Sequence, residues 1–188
     1  MQGRLGAGLA AVGGAIARAL LGGAVMPRTF HTLQCIGPDG QVKWEETIEN
    51  LTVNTGLADM LSKYWKGSNY TGAFYVGLKG SGTIAAGDTM ASHAGWSEVQ
   101  AYAQAARPAL TFGAVSGTTT ASLDNSASPA AFGINAANTV VAGAFIATDS
   151  TKGGTAGTLI GASDFATARS MQSGDTLNVT TTMSNTSG

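Results

Sequence analysis

The feature that most constrains this chain is a succession of short, strand-like segments set apart by turn-rich breaks. Between Arg28 and Ile36, the apolar Phe30, Leu33 and Ile36 stand among Thr29, Thr32 and Gln34, and Gln41 to Ile48 returns in the same manner. The link is Gly37-Pro38-Asp39-Gly40. Proline presets φ and glycine accepts a positive φ, so the two segments predict a hairpin. Phe74–Leu78, Trp96–Tyr102, Pro108–Val115, Ala130–Ile134, Val140–Ala147, Thr158–Ala162 and Thr176–Met183 continue the series. Gly80-Ser81-Gly82, Gly87–Gly95, Asp124–Pro129, Asp149–Gly157 and Ser173–Asp175 break it. Short strands in such a row predict a mainly β fold, an antiparallel β-sandwich or jelly roll.

One helix interrupts the series, over Thr55–Lys66. Asn54 or Thr55 is placed to cap it and Gly67 to end it. Leu57, Met60, Leu61, Tyr64 and Trp65 recur at helical spacing, and such a stripe is expected to pack on a sheet.

The first 25 residues differ from the rest. They contain Arg4 and Arg18, no acid, and many glycines. Leu5, Leu9, Val12, Ile16 and Leu20 are spaced for one helical face. Gly6, Gly13, Gly14, Gly22 and Gly23 make such a helix weak by itself in water, so its order would depend on a partner. Residues 1–27 therefore read as an arm and 28–188 as a β-sandwich domain. Two other readings fit: a signal peptide with Ala15-Ile16-Ala17 as its cleavage triplet, or a physical start at Met26. Arg18 and the glycines interrupt what a membrane span requires.

Charged residues are 11% of the 188-residue chain, against roughly 25% in ordinary globular proteins. Ala, Gly, Ser and Thr take their place, which suits a body with neutral surfaces covered by neighbouring subunits. A net charge of −1 and scattered lysines speak against nucleic acid as a partner. Cys35 is the single cysteine, so no disulfide can form within the chain, and its apolar surroundings predict a core position.

No motif points to a reaction or a cofactor. His31 and His93 lack the HxH, HxxxH or CxxC spacing of a metal site and read as structural or surface residues. Ser92 precedes His93 without a GxSxG elbow. Glu45, Glu46 and Glu49 lie beside Trp44, and Glu98 follows Trp96, as in a glycosidase site. On a strand, however, Glu45 and Glu46 point to opposite faces. In Gly77-Leu78-Lys79-Gly80-Ser81-Gly82-Thr83 the lysine precedes the glycines, so this is no phosphate loop but a strand end and turn. Arg107, held extended by Pro108, is expected to pair with Glu98 or Asp88 as an exposed loop pin. Phe30, Trp44, Trp65, Tyr75 and Trp96 are the candidate interface residues, because interface hot spots favour large aromatics, although each also suits a core.

One stretch, Gly87–Leu110 (GDTMASHAGWSEVQAYAQAARPAL), is distinctive enough to suggest a family. It resembles a stretch in small β-rich virion structural proteins of tailed bacteriophages. The resemblance extends to Trp44–Ser68, Phe74–Thr83, Asp124–Asn135 and Gly174–Thr180, in the same order, and covers the chain from about Met26 onward. It implies a non-enzymatic virion component: a capsid decoration or cement protein on the outer surface of the head, associating with itself as dimer or trimer and with the major capsid protein. Before that it would reside in the host cytoplasm during assembly. A tail, neck or fibre component is the alternative in the same setting. A carbohydrate-binding or host-attachment module with Trp96 or Trp65 as its stacking platform is the alternative from another class.

Overall fold

A computed structural model describes residues 25–67 and 72–187. Ten strands form two antiparallel sheets, as expected. The strands are β1 (Val25–Ile36), β2 (Val42–Glu49), β3 (Leu51–Thr52), β4 (Tyr75–Gly82), β5 (Trp96–Val99), β6 (Thr120–Asp124), β7 (Ala130–Gly133), β8 (Thr139–Ala147), β9 (Leu159–Met171) and β10 (Thr176–Ser187). The first sheet has the order β2-β1-β10, with β6 and β7 placed end to end along the far edge of β10. The second has the order β3-β9-β8-β4-β5. The readings of residues 1–24 as arm, signal peptide or upstream segment lie outside the described residues.

The β1–β2 hairpin forms where the sequence places it. Gly40 has φ of 77°, and its N–H donates to the Gly37 carbonyl at 2.9 Å. The buried side of β1 is not the one its large apolar residues suggest. Thr29, His31, Leu33 and Cys35 face inward, while Phe30 and Ile36 fall on the other face at half burial. The period of two decides this: Leu33 cannot share a face with Phe30 and Ile36. His31 is thereby a core residue, its Nδ1 2.9 Å from Thr181 Oγ1.

The core lies between the sheets. Leu33, Cys35 and Ile48 with Phe132, Leu177 and Val179 meet Val76, Leu78, Val141, Ala144, Ile146 and Phe165. A bulge between Val141 and Gly143 makes this meeting possible. Ala142 of β8 stands opposite residues 165–168 of β9, and across this irregularity the alternation of β8 changes phase, so Val141 and Ala144 both belong to the same core. Gly143 sits at the bulge because a Cβ there would run into the Ser163 carbonyl.

A second cluster covers the outer face of β8: Val53, Met90, Trp96, Phe145, Ala147, Leu159 and Ala162. Residues 83–95 cross this face, so β8 is buried on both sides. Three features differ from the sequence-based expectation. β9 runs nine residues past Ala162 to Met171, β6 forms in a stretch for which no strand was expected and ends on the first residue of the expected break, and Pro108–Val115 makes only an isolated bridge, Ala109 to Tyr75.

Candidate interface surface

The helix begins close to its expected position and is mounted the other way round. Its regular part, α1, spans Asn54–Met60, and Leu61–Trp65 continue it as one turn of wider, π-type helix. Neither Asn54 nor Thr55 caps it. Val53 occupies the cap position without a side-chain bond, and Thr55 Oγ1 donates instead to the Leu159 carbonyl at 2.8 Å. Gly56 is the buried residue of α1, pressed on the backbone of Ile160, where any Cβ would collide with the carbonyl. The first turn is thus tied to β9 by backbone contact and one hydroxyl.

Side chains divide accordingly. Thr55, Asp59, Ser62 and Lys63 are half-buried, whereas Leu57, Met60, Leu61, Tyr64 and Trp65 are exposed. The stripe expected against a sheet faces outward, with Tyr64 81% and Trp65 78% exposed and their rings edge to face at 5.3 Å. A polar side in and an apolar side out inverts the usual amphipathic arrangement. The cause is local. Only a side-chain-free position lets the helix backbone reach Ile160, and Gly56, at the border of the stripe, supplies it.

Beside α1 is an apolar groove of about 240 Å³, at the end of the molecule where β1 begins and β10 ends. Pro27, Met60, Phe74, Val115, Leu123 and Met183 line it, with Asp59 among the polar residues of its wall. Met60 belongs to both the groove and the exposed stripe.

The five candidate aromatics are not brought together. Trp96 is 5% exposed; its indole N–H donates to Asp88 at 2.9 Å, and its ring lies between His93 at 4.2 Å and Phe145 at 5.2 Å. It has no face left for a sugar. Trp44 packs on Phe165 at 5.5 Å and under Arg169. Phe30 carries the Arg28 guanidinium over its ring, and Tyr75 is half-buried next to the bridge with Ala109. Trp65 alone of the five is broadly exposed.

The charged residues serve the scaffold. Arg107 does pair with Glu98, but the pair is buried, with side-chain exposures of 0% and 5%. Its two nitrogens donate to the carboxylate at 3.0 and 2.7 Å, and it also donates to the carbonyls of Asp149 and Gly154. Glu98 further accepts from the Gly153 N–H. One ion pair thereby ties β5 and residues 149–154 together. Asp88 is engaged elsewhere, accepting from Trp96 and from the Ala85 N–H.

Lys79, read from sequence as part of a strand end and turn, lies within β4 and is fully buried. It donates to Asp164 at 2.6 Å and to the carbonyls of Gly80 and Gly82. No spacing in the sequence announces this, because its partner is 85 residues away.

Glu45, Glu46 and Glu49 diverge, bonding to Gln34, Arg169 and Arg28 in turn. Burial pushes the His31 imidazole down to about 4, against a weaker upward pull from Asn50. Burial, reinforced by Asp175, pushes the Cys35 thiol up to about 11. Among the described residues no group of three or more His, Cys, Asp or Glu side chains is placed to hold a metal ion, and no helix is long and apolar enough to cross a membrane.

The described chain is thus an antiparallel two-sheet β protein carrying one helix with its apolar side outward. No family model, curated protein or solved structure matches it.

Proposed function

We propose that this protein is a non-enzymatic structural component of a tailed-phage particle, a decoration or cement protein that bridges neighbouring copies of the major capsid protein. One observation carries the reading: the outward apolar face of α1, where Leu57, Leu61, Tyr64 and Trp65 stand exposed on a body whose other large side chains are mostly buried. Exposed Tyr and Trp on a fixed helix are the residues that dominate interface energies. The low charge of the chain and its segment-by-segment resemblance to phage virion proteins supply the setting. Stabilisation would follow from mass action, because a protein that binds only the assembled lattice raises the cost of taking it apart.

The test is addition of purified protein to particles that lack it, followed by sedimentation and counting of bound copies by quantitative mass spectrometry. Wild type should bind in hundreds of copies per particle. The double variant Tyr64→Ser/Trp65→Ser should stay in the supernatant while its thermal unfolding is unchanged. Saturation at about a dozen copies, one ring's worth, would move the protein to the tail or neck. No binding by wild type would remove the virion reading altogether.

A further inference from the structure

The groove beside α1 is an apolar surface without a described occupant. Its volume of about 240 Å³ equals roughly eight waters at about 30 Å³ each. Pro27, Phe74, Val115, Leu123 and Met183 offer water few hydrogen bonds there, and Val115 is 65% exposed. Such a groove favours an apolar side chain over solvent.

The chain contains a segment suited to it. Residues 1–24 enter β1 at Val25, two residues before Pro27, which is itself part of the groove wall. Leu5, Leu9, Val12, Ile16 and Leu20 make one apolar face, and Gly22-Gly23 immediately before the strand permit a reversal of direction. The seven steps from Leu20 to Pro27 can span up to about 25 Å. Charge agrees as well. The segment has Arg4 and Arg18 and no acid, and Asp59 on the groove wall is in no ion pair among the described residues. Arg28, the nearby cation, is already held by Glu49 at 2.8 Å.

We propose that the groove is the docking site for this chain's own N-terminal segment, Leu5–Leu20, bound within the same molecule through its apolar face. The tether decides between this occupant and a second copy. A short linker confers an effective concentration in the millimolar range, so a contact too weak to hold two molecules together is well populated within one. The groove supplies the partner that the segment's glycines make necessary, and the turn after α1 keeps Leu61, Tyr64 and Trp65 free for another. The inference does not depend on the virion reading.

The experiment uses the 188-residue chain with a benzophenone side chain placed at Val12 or Ile16, irradiated at low micromolar concentration, with the linked peptides mapped by mass spectrometry. Benzophenone attacks C–H bonds next to sulphur readily, and Met60 and Met183 lie in the groove. The expected result is a bond to either methionine, or to Leu123, in a species of monomer mass. The yield should fall more than about tenfold when Leu9→Asp and Leu20→Asp remove two of the apolar contacts. Far-ultraviolet circular dichroism of the double variant checks that its β body is still folded. The same probe at Ala7, on the opposite helical face, should give little product. Bonds found only in species of twice the mass would assign the groove to a second copy and overturn the proposal. So would bonds to residues outside the groove, equal yields at Ala7 and Val12, or no bond at all.

Discussion

Glu98→Ala should be among the most damaging single changes in this protein, although glutamate is ordinarily a surface residue. The substitution leaves the Arg107 guanidinium in place, 0% exposed, without its two charged hydrogen bonds. The carbonyls of Asp149 and Gly154 still accept from it, but carbonyls do not neutralise it. The Gly153 N–H loses its acceptor at the same time. Removing one partner of a buried pair typically costs about 3–5 kcal/mol, because the remaining charge stays desolvated and unpaired.

The molecule holds its own control. Arg28 and Glu49 make the same two-point contact at 2.8 and 3.0 Å, but with side chains 50% and 52% exposed. Water replaces what Glu49→Ala removes, so that variant should leave the unfolding midpoint nearly where it was. Urea unfolding followed by tryptophan fluorescence separates the two, with unchanged m-values showing that each change acts on stability alone. Equal losses for the two variants would refute the argument, since both break the same two-point contact and only Glu98→Ala leaves a charge and an N–H buried without their acceptor.

Other outcomes follow from the same physics. The folded His31 imidazole stays neutral down to about pH 4, while an unfolded histidine takes up a proton below about 6.5. The unfolded state therefore binds more protons in that window, and stability should fall by roughly 2 kcal/mol between pH 6.5 and 5, a loss absent from His31→Gln when urea midpoints are compared. Cys35 is fully buried with its thiol raised to about 11, so a thiol reagent at pH 8 should label it only through opening of the fold, at a rate that climbs with urea. Gly143→Ala puts a methyl group on the Ser163 carbonyl at the β8–β9 bulge and should cost at least about 2 kcal/mol in thermal or urea unfolding.

How far the residues themselves announce this structure can be traced element by element. The β1–β2 hairpin is legible because Pro38 and Gly40 act on their own backbone, with no help from distant residues. β8 is legible because a strand covered on both faces must be apolar almost throughout. β6 is not, since Thr120–Asp124 is a largely polar edge segment whose strand character comes from pairing with β10. The far half of β9, with Asp164, Thr167 and Arg169, is hidden for a similar reason: it is exposed on one side and takes its register from β8.

The interface surface shows the same limit. Periodicity locates the stripe of α1 but not the direction it faces, and that direction is set by Gly56 against Ile160, a contact between residues far apart in the chain. A glycine amid larger residues at the start of a helix was the available signal. Lys79 and Arg107 are buried cations whose carboxylate or carbonyl partners lie on other strands and loops, and nothing in their neighbouring residues marks them as interior.

The position of β10 at the centre of its sheet bears on how the protein comes to be made. Cys35 in β1 meets Asp175, just before β10, at a separation of 140 positions. β10 also supplies the edge on which β6 and β7 both depend. Every strand of the other sheet, and the β1–β2 hairpin, is synthesised before β10 leaves the ribosome. The edge of β1 that pairs with β10 must therefore wait, unpaired, until β10 emerges. Closing so large a loop is entropically expensive, and a fold dominated by distant pairings forms slowly. A nascent chain halted before Thr176 should accordingly offer this open edge of β1 to chaperones, and release of the completed β10 should close it in a single step.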